Sequence, residues 1–271
     1  MAVDEQRAGS GKLGIALAIF VGWLAITMGF DIVQAGGEIS LDALVSQRVV
    51  IGLVVAPAFL IAIMAWLRWD RLGFAPPTPP RSLMLLWLPL LYIAVILASV
   101  ALSGFPPAAT IAFVFVNTLL VGISEELMFR GILFRGALSR MTIWKAIWLS
   151  CFLFGLIHAL NVFLTGDLTA ALLQAVAAFM SGVLFMALRI RTGSLYPLII
   201  IHALWDFSLF VGLSAHASTT TETASALPPI AMAAPVLLVL PLFLYGLFLM
   251  RHVSRDFADL SEVASGQGRP S

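Results

Sequence analysis

The sequence predicts an all-α, polytopic membrane protein with about eight transmembrane helices, and two observations support this prediction. Of the 271 residues, 61% are hydrophobic and only 11% are charged, with a mean hydropathy of +1.04; soluble domains are roughly half apolar. In addition, eight apolar stretches approach or exceed the length of about 20 residues that a helix needs to cross a bilayer. The stretches are closely spaced, so we expect one transmembrane domain over residues 13–250.

Short polar or proline-rich turns separate the predicted helices. The segments "WDRLGFAPPTPPRS" and "SGFPPAA" contain Pro and Gly pairs that cannot continue a helix, and "SAHASTTTETASALPP" is a polar loop. The first apolar stretch is too long for a signal-peptide core and no A-x-A site follows it, so we expect a retained helix. The predicted helices cover residues 13–30, 49–67, 83–103, 110–129, 146–164, 169–188, 196–213 and 230–250, between tails at 1–12 and 251–271.

The distribution of basic residues predicts the orientation of these helices. If the N-terminus is cytoplasmic, 14 of the 15 Lys and Arg residues fall on the cytoplasmic side and only Arg48 falls outside. Cytoplasmic loops of membrane proteins carry such an excess of Lys and Arg. We therefore predict a multi-pass protein of the plasma membrane with both termini in the cytoplasm, and its compact form suggests a bacterial source.

Ionisable residues interrupt three of the apolar segments at similar depths. Glu125 and His158 are nearly symmetric about the turn "LSRMTIWK", so they lie at similar depth in an antiparallel helix pair. Glu125 lies about 7 Å, and His202 about 9 Å, below the expected cytoplasmic boundary at 1.5 Å of rise per residue. Asp206 lies one turn beyond His202 on the same helix face. Such groups are rare inside membrane spans and usually face a polar cavity.

Some of these residues also fit a purely structural role. Glu126 and Arg130 are spaced i, i+4 with the acid first, the favourable order for an ion pair, so we expect a structural pair. Arg130 would then mark the hydrocarbon boundary, because arginine is too costly in lipid. Glu125, about 100° around the helix, is left as the free carboxylate. A lone His158 would more often make a helix-to-helix hydrogen bond, but the matching depth of the other groups favours a functional site.

Three motifs in this region resemble those of a known family. "EELMFR" matches E-E-x-x-x-R, "FGLIH" (Phe154 to His158) matches F-x-x-x-H, and "HALWD" (His202 to Asp206) matches H-x-x-x-N/D. They are similar to the ordered motifs of the CPBP (Abi) family of intramembrane proteases, which includes type II CAAX prenyl endopeptidases and lysostaphin-resistance-like proteins. The resemblance covers residues about 110–215. It departs at Asp206, where the prenyl endopeptidases have Asn.

The resemblance implies an intramembrane endopeptidase that hydrolyses a peptide bond in a cytoplasm-facing cavity. It implies Glu125 as the general base, His158 as a group that orients the water, and His202 with residue 206 as the oxyanion stabilisers. It assigns supporting roles to Glu126, Arg130 and Phe154. The expected partners are a peptide or membrane-protein substrate and the lipid bilayer, with no nucleic acid.

Two questions remain open from the sequence. No cofactor is required in the preferred mechanism, but a zinc site built from Glu125, His158, His202 and Asp206 is the alternative, although the H-E-x-x-H spacing of most zinc proteases is absent. The alternative function is a non-catalytic membrane binding or immunity protein that retains the pocket. A transporter is a third class, because intramembrane His and Glu also form proton relays.

Overall fold

A computed structural model describes residues 11–69, 71–217 and 233–253. Within these residues the protein contains helices and turns and no strand, so the predicted all-α fold class is confirmed. The two predicted tails and the polar loop before the last helix lie largely outside the described residues.

The helices follow the predicted apolar stretches, with some additions. A 3₁₀ segment, Pro80–Leu86, precedes α4, and a π-helical segment, Leu127–Leu133, follows α5. In chain order the α-helices are Lys12–Ala35 (α1), Leu41–Gln47 (α2), Ile51–Leu67 (α3), Trp87–Ser103 (α4), Ala108–Glu126 (α5), Phe134–Leu138 (α6), Ile143–Ala159 (α7), Val162–Thr165 (α8), Leu168–Thr192 (α9), Tyr196–Ala217 (α10) and Ala234–Leu249 (α11).

The lengths of the helices identify a multi-pass integral membrane protein. Among the described residues, six helical stretches are long and apolar enough to cross a membrane, and α2 with α3 form a seventh candidate that is bent by 81°. The last predicted span forms α11, whose 16 residues extend only about 24 Å, short of the about 30 Å of a hydrocarbon core.

The bend between α2 and α3 was not predicted, and a buried side chain of α5 stabilises it. Asn117 accepts a hydrogen bond from the backbone amide of Val50 at 3.0 Å and donates to the carbonyl oxygens of Val45 and Arg48 at 2.8 and 2.7 Å. These three bonds satisfy backbone groups that a break between helices leaves free. Asn117 thereby fixes the α2–α3 corner against α5.

Close helix packing brings the motif-bearing elements together. Asp167 caps the N-terminus of α9 by accepting a hydrogen bond from the amide of Ala170, and α9 packs along both α7 and α11. The helix α5 packs along α10, and Gly122 lies at their contact. A side chain at Gly122 would approach the carbonyl oxygen of Ile199 within 2.8 Å, so the close approach of α5 and α10 requires glycine there.

Candidate active site

The two glutamates lie where the backbone changes from α to π geometry. The amide of Leu127 is directed at the carbonyls of both Ile123 and Ser124, and the π-helical segment Leu127–Leu133 begins there. All seven residues of that segment are buried. Such π segments occur frequently at functional sites, because the wider turn changes the direction of the side chains that follow.

The predicted ion pair between Glu126 and Arg130 is present, and it has further partners. Arg130 Nη1 donates to Glu126 Oε1 at 3.0 Å, and neither side chain is exposed to solvent. Arg130 Nη2 donates to the carbonyl oxygen of Gly182 on α9 at 3.3 Å. His202 Nδ1 donates to the same Glu126 oxygen at 2.7 Å. The pair thus connects α5, α9 and α10.

Aromatic rings surround the guanidinium of Arg130. Its central carbon lies 4.1 Å from the ring centre of Phe154 and 5.3 Å from that of Phe185. These distances suit cation–π attraction, which is stronger in a desolvated site. A side chain on Gly182 would approach Phe154 within 3.0 Å and Arg130 within 3.4 Å, so glycine provides the space for both groups. Arg130 is therefore enclosed by protein.

Glu125 is the more accessible of the two glutamates. Its side chain is 15% exposed, while that of Glu126 is fully buried. The Oε2 atom of Glu125 has no hydrogen-bond partner and lies 3.6 Å from His202 Nε2. A buried carboxylate oxygen without a protein partner is costly unless a water or a substrate group binds to it.

His202 is the central residue of the cluster. Its ring stacks on Phe185, with ring centres 4.9 Å apart and planes inclined by 20°. While Nδ1 binds Glu126, Nε2 faces Glu125 and also Asp206 Oδ2 at 3.5 Å. When these carboxylates are ionised they only accept hydrogen bonds, so the arrangement suits an imidazolium that donates from both nitrogens. His202 is 4% exposed, so this geometry is protected from bulk water.

His158 contacts the same phenylalanine, Phe154, that packs against His202. Its Nδ1 is 2.7 Å from the carbonyl oxygen of Phe154, and a carbonyl only accepts, so Nδ1 carries the proton. In the neutral ring Nε2 is then a free acceptor. The ring of Phe154 contacts both His158 and His202, with ring centres 5.0 and 6.0 Å apart.

The residues proposed for a zinc site do not form a ready-made set of ligands. Among the described residues, no three His, Cys, Asp or Glu side chains are grouped so that they could hold a metal ion. The Nδ1 atoms of both histidines are engaged, with Glu126 and with the carbonyl of Phe154. A metal-binding histidine commonly donates its other ring N–H to a carboxylate or a backbone carbonyl, so these two bonds are compatible with a metal at Nε2.

Several residues that support the site had no distinct signal in the sequence. Phe185 stacks on His202, and Arg189 Nε donates to the carbonyl oxygen of Arg130 at 3.3 Å. Trp23 of α1 donates from its indole nitrogen to Ser124 Oγ at 2.8 Å. Aromatic residues such as Phe185 and Trp23 are common throughout the chain, and the roles of all three residues depend on helix packing that no local sequence pattern reveals.

Comparison with known proteins identifies the region that carries these residues. Residues 107–208 match the family model described as type II CAAX prenyl endopeptidase Rce1-like, which confirms the resemblance read from the three motifs. Glu125, His158, His202 and Asp206 all lie within the matched residues. No curated protein and no solved structure matches the chain.

Proposed function

Since residues 107–208 form an Rce1-like domain of the type II CAAX prenyl endopeptidases, we propose that this protein is an intramembrane endopeptidase in which Glu125 activates a water. The observation that carries the proposal is the unpartnered Glu125 Oε2, which lies 3.6 Å from His202 Nε2. A carboxylate oxygen with a free lone pair is what a general base requires, and the neighbouring nitrogen can stabilise charge that develops beside it.

The proposed reaction is the hydrolysis of a peptide bond. A water bound at Glu125 gives a proton to the carboxylate while its oxygen forms a bond to the peptide carbonyl carbon. The carbonyl oxygen becomes an oxyanion, and the carbon–nitrogen bond then breaks as the amide nitrogen takes the proton from Glu125. The products are a carboxyl terminus and an amine. The free Nε2 of His158 accepts the water's second hydrogen and so orients its lone pair towards the substrate.

In this proposal His202 stabilises the oxyanion, and Asp206 lies beside His202. Preorganised donors in a site that excludes water stabilise a developing negative charge strongly. Glu126 accepts the hydrogen bond of Nδ1, and Arg130 keeps Glu126 in place, so the direction of Nε2 is fixed before the substrate binds. In this role Nε2 donates its hydrogen to the oxyanion.

Asp206 contributes a second donor only if it is protonated, because an ionised carboxylate accepts and cannot donate. Its Oδ2 lies 3.5 Å from His202 Nε2 and its side chain is 22% exposed. Asn in the prenyl endopeptidases donates without protonation. A protonated Asp206 would replace that amide in shape and in hydrogen bonding. The alternative role is an ionised Asp206 that only orients His202.

The substrate class that follows is a peptide or a membrane protein, reached from the cytoplasmic side of the membrane. The positive-inside distribution supports this orientation, since 14 of 15 basic residues then face the cytoplasm. A bacterial plasma membrane lacks prenylated CAAX proteins, so the proposed substrates there are a peptide precursor or another membrane protein.

A comparison of native membranes tests the function. Wild type and Glu125→Gln are expressed at equal levels, and the new N-termini in the membrane and secreted fractions are identified by mass spectrometry. We expect a set of cleavages that wild type produces and Glu125→Gln does not. Glu38→Gln removes an exposed carboxylate outside the site and serves as the control. Identical N-termini from wild type and Glu125→Gln would favour a non-catalytic binding or immunity protein.

A further inference from the structure

The first helix, which lies outside the matched residues 107–208, contacts the segment that carries both glutamates. Trp23 of α1 is 2% exposed, and its indole nitrogen donates to Ser124 Oγ at 2.8 Å. Ser124 is also 2% exposed and directly precedes Glu125. A buried indole N–H usually has a hydrogen-bond partner, and here the partner is the residue next to the proposed base.

The same tryptophan also packs against Phe129, which follows the two glutamates in the chain. Its ring lies perpendicular to that of Phe129, with ring centres 5.5 Å apart. Phe129 in turn packs edge-on against Phe154 at 5.1 Å, and Phe154 contacts His158 and His202. One side chain of α1 therefore contacts the chain immediately before Glu125 and three residues after Glu126.

The backbone geometry around Ser124 explains why a contact from another helix can affect Glu125. Ser124 is at the junction where the amide of Leu127 is shared between two carbonyls and the π geometry begins. A change in the number of residues per turn at this junction would rotate the glutamate side chains relative to α10. Gly122 fixes one face of α5 against α10, and Trp23 fixes Ser124 from α1.

We infer that Trp23 is a positioning residue for Glu125 and acts through its hydrogen bond to Ser124. This inference rests on the proposed function, because it assigns to α1 a role in setting the direction of the catalytic carboxylate. It extends the site beyond the Rce1-like domain to a helix that the family match does not include.

The reactivity of Glu125 tests the inference without requiring a known substrate. Dicyclohexylcarbodiimide is an apolar reagent that adds to carboxyl groups in membranes, and mass spectrometry measures the rate of its addition to Glu125. The variants are Trp23→Phe, which keeps a ring and removes the N–H, Ser124→Ala, which removes the acceptor, and the double variant. Ser124→Thr keeps the hydroxyl, and Tyr245→Phe removes an unrelated hydrogen bond to the Leu85 carbonyl as the matched control.

The expected result is a change of at least about twofold in the labelling rate of Glu125 per folded protein for each single variant, the lower end of coupling between residues in contact. The double variant should equal the single variants, while Ser124→Thr and Tyr245→Phe should resemble wild type. Cleavage that depends on Glu125 should fall about tenfold, since a misplacement of about 1 Å can cost about a hundredfold.

Two results would overturn the inference. One is an unchanged labelling rate in Trp23→Phe and Ser124→Ala, and the other is a double variant in which the two effects multiply independently. If Trp23→Phe does not fold, the labelling rates of Glu125 in Ser124→Ala and Ser124→Thr decide whether the hydrogen bond at Ser124 positions Glu125. If no cleavage depends on Glu125, the proposed function fails, while the labelling rates still decide whether Trp23 positions Glu125.

Discussion

His202 Nδ1 lies 2.7 Å from Glu126 Oε1, so the second glutamate of the pair is the hydrogen-bonding partner of the histidine. Glu125 faces the other nitrogen of the same ring at 3.6 Å. The two adjacent carboxylates therefore contact opposite sides of one imidazole and have different roles. Glu126 binds the ring through Oε1 and is fully buried, whereas the Glu125 side chain is 15% exposed.

Removing Glu126 should destabilise the protein strongly. Glu126→Ala would leave the fully buried Arg130 guanidinium without its counter-ion, which typically costs about 3–5 kcal/mol. The free energy of unfolding or the thermal midpoint in detergent measures this effect. Glu125→Ala is the matched comparison, because Glu125 is 15% exposed and does not pair with Arg130, so its loss should cost activity with little loss of stability. Equal losses of folded protein in the two variants would contradict this division of roles.

Adding one methyl group at Gly182 should disturb the site from α9. In Gly182→Ala the new carbon would lie 3.0 Å from Phe154 Cδ1 and 3.4 Å from Arg130 Nη2, so one of these groups must move. We expect a loss of about 1–3 kcal/mol in stability, typical of overpacking, together with lower activity. Gly14→Ala in α1 is the control, because no atom lies within 4 Å of its added carbon. Wild-type stability and activity in Gly182→Ala would show that the contact tolerates a methyl group.

The sequence predicted the helices and named the residues of a candidate site, but it did not predict how the helices that carry them are oriented relative to one another. The i, i+4 spacing was sufficient to predict the Glu126–Arg130 pair, because helix geometry alone determines that contact. The bond from His202 to Glu126 depends on how α10 rotates against α5, and the π geometry after Glu126 changes that rotation.

The surroundings of Arg130 also depend on contacts between helices that the sequence does not predict. The sequence predicted one partner for Arg130, Glu126, whereas the carbonyl of Gly182 and two phenylalanine rings also enclose it. These partners come from three different helices, so no sequence window contains them.

A reporter fusion tests the predicted orientation. We expect a reporter fused after Ser271 to score as cytoplasmic, because the opposite orientation would place 14 of 15 basic residues outside. An alkaline phosphatase fusion, which is active only outside the cytoplasm, and a green fluorescent protein fusion, which is fluorescent only inside, give complementary readings. An active phosphatase fusion would overturn the orientation and with it the cytoplasm-facing cavity.

The residue at position 206 separates the two mechanisms that the sequence left open. In the metal-free mechanism a protonated Asp206 donates to the oxyanion beside His202, so Asp206→Asn should keep or raise activity near neutral pH, because the amide is a permanent donor of nearly the same shape. If Asp206 is an ionised metal ligand, the same change removes a charged ligand and should lower metal binding and activity together.

The measurement is hydrolysis by purified wild type and Asp206→Asn, each with and without a strong chelator, on a substrate identified from the membrane comparison. Asp42→Asn is the control, because Asp42 accepts a hydrogen bond from Ser214 away from the site. We expect a chelator-insensitive wild type and an active Asn variant, because the proposed mechanism activates the water with Glu125 and without a metal. A chelator-sensitive wild type together with an inactive Asn variant would rule out the glutamate-activated water without metal.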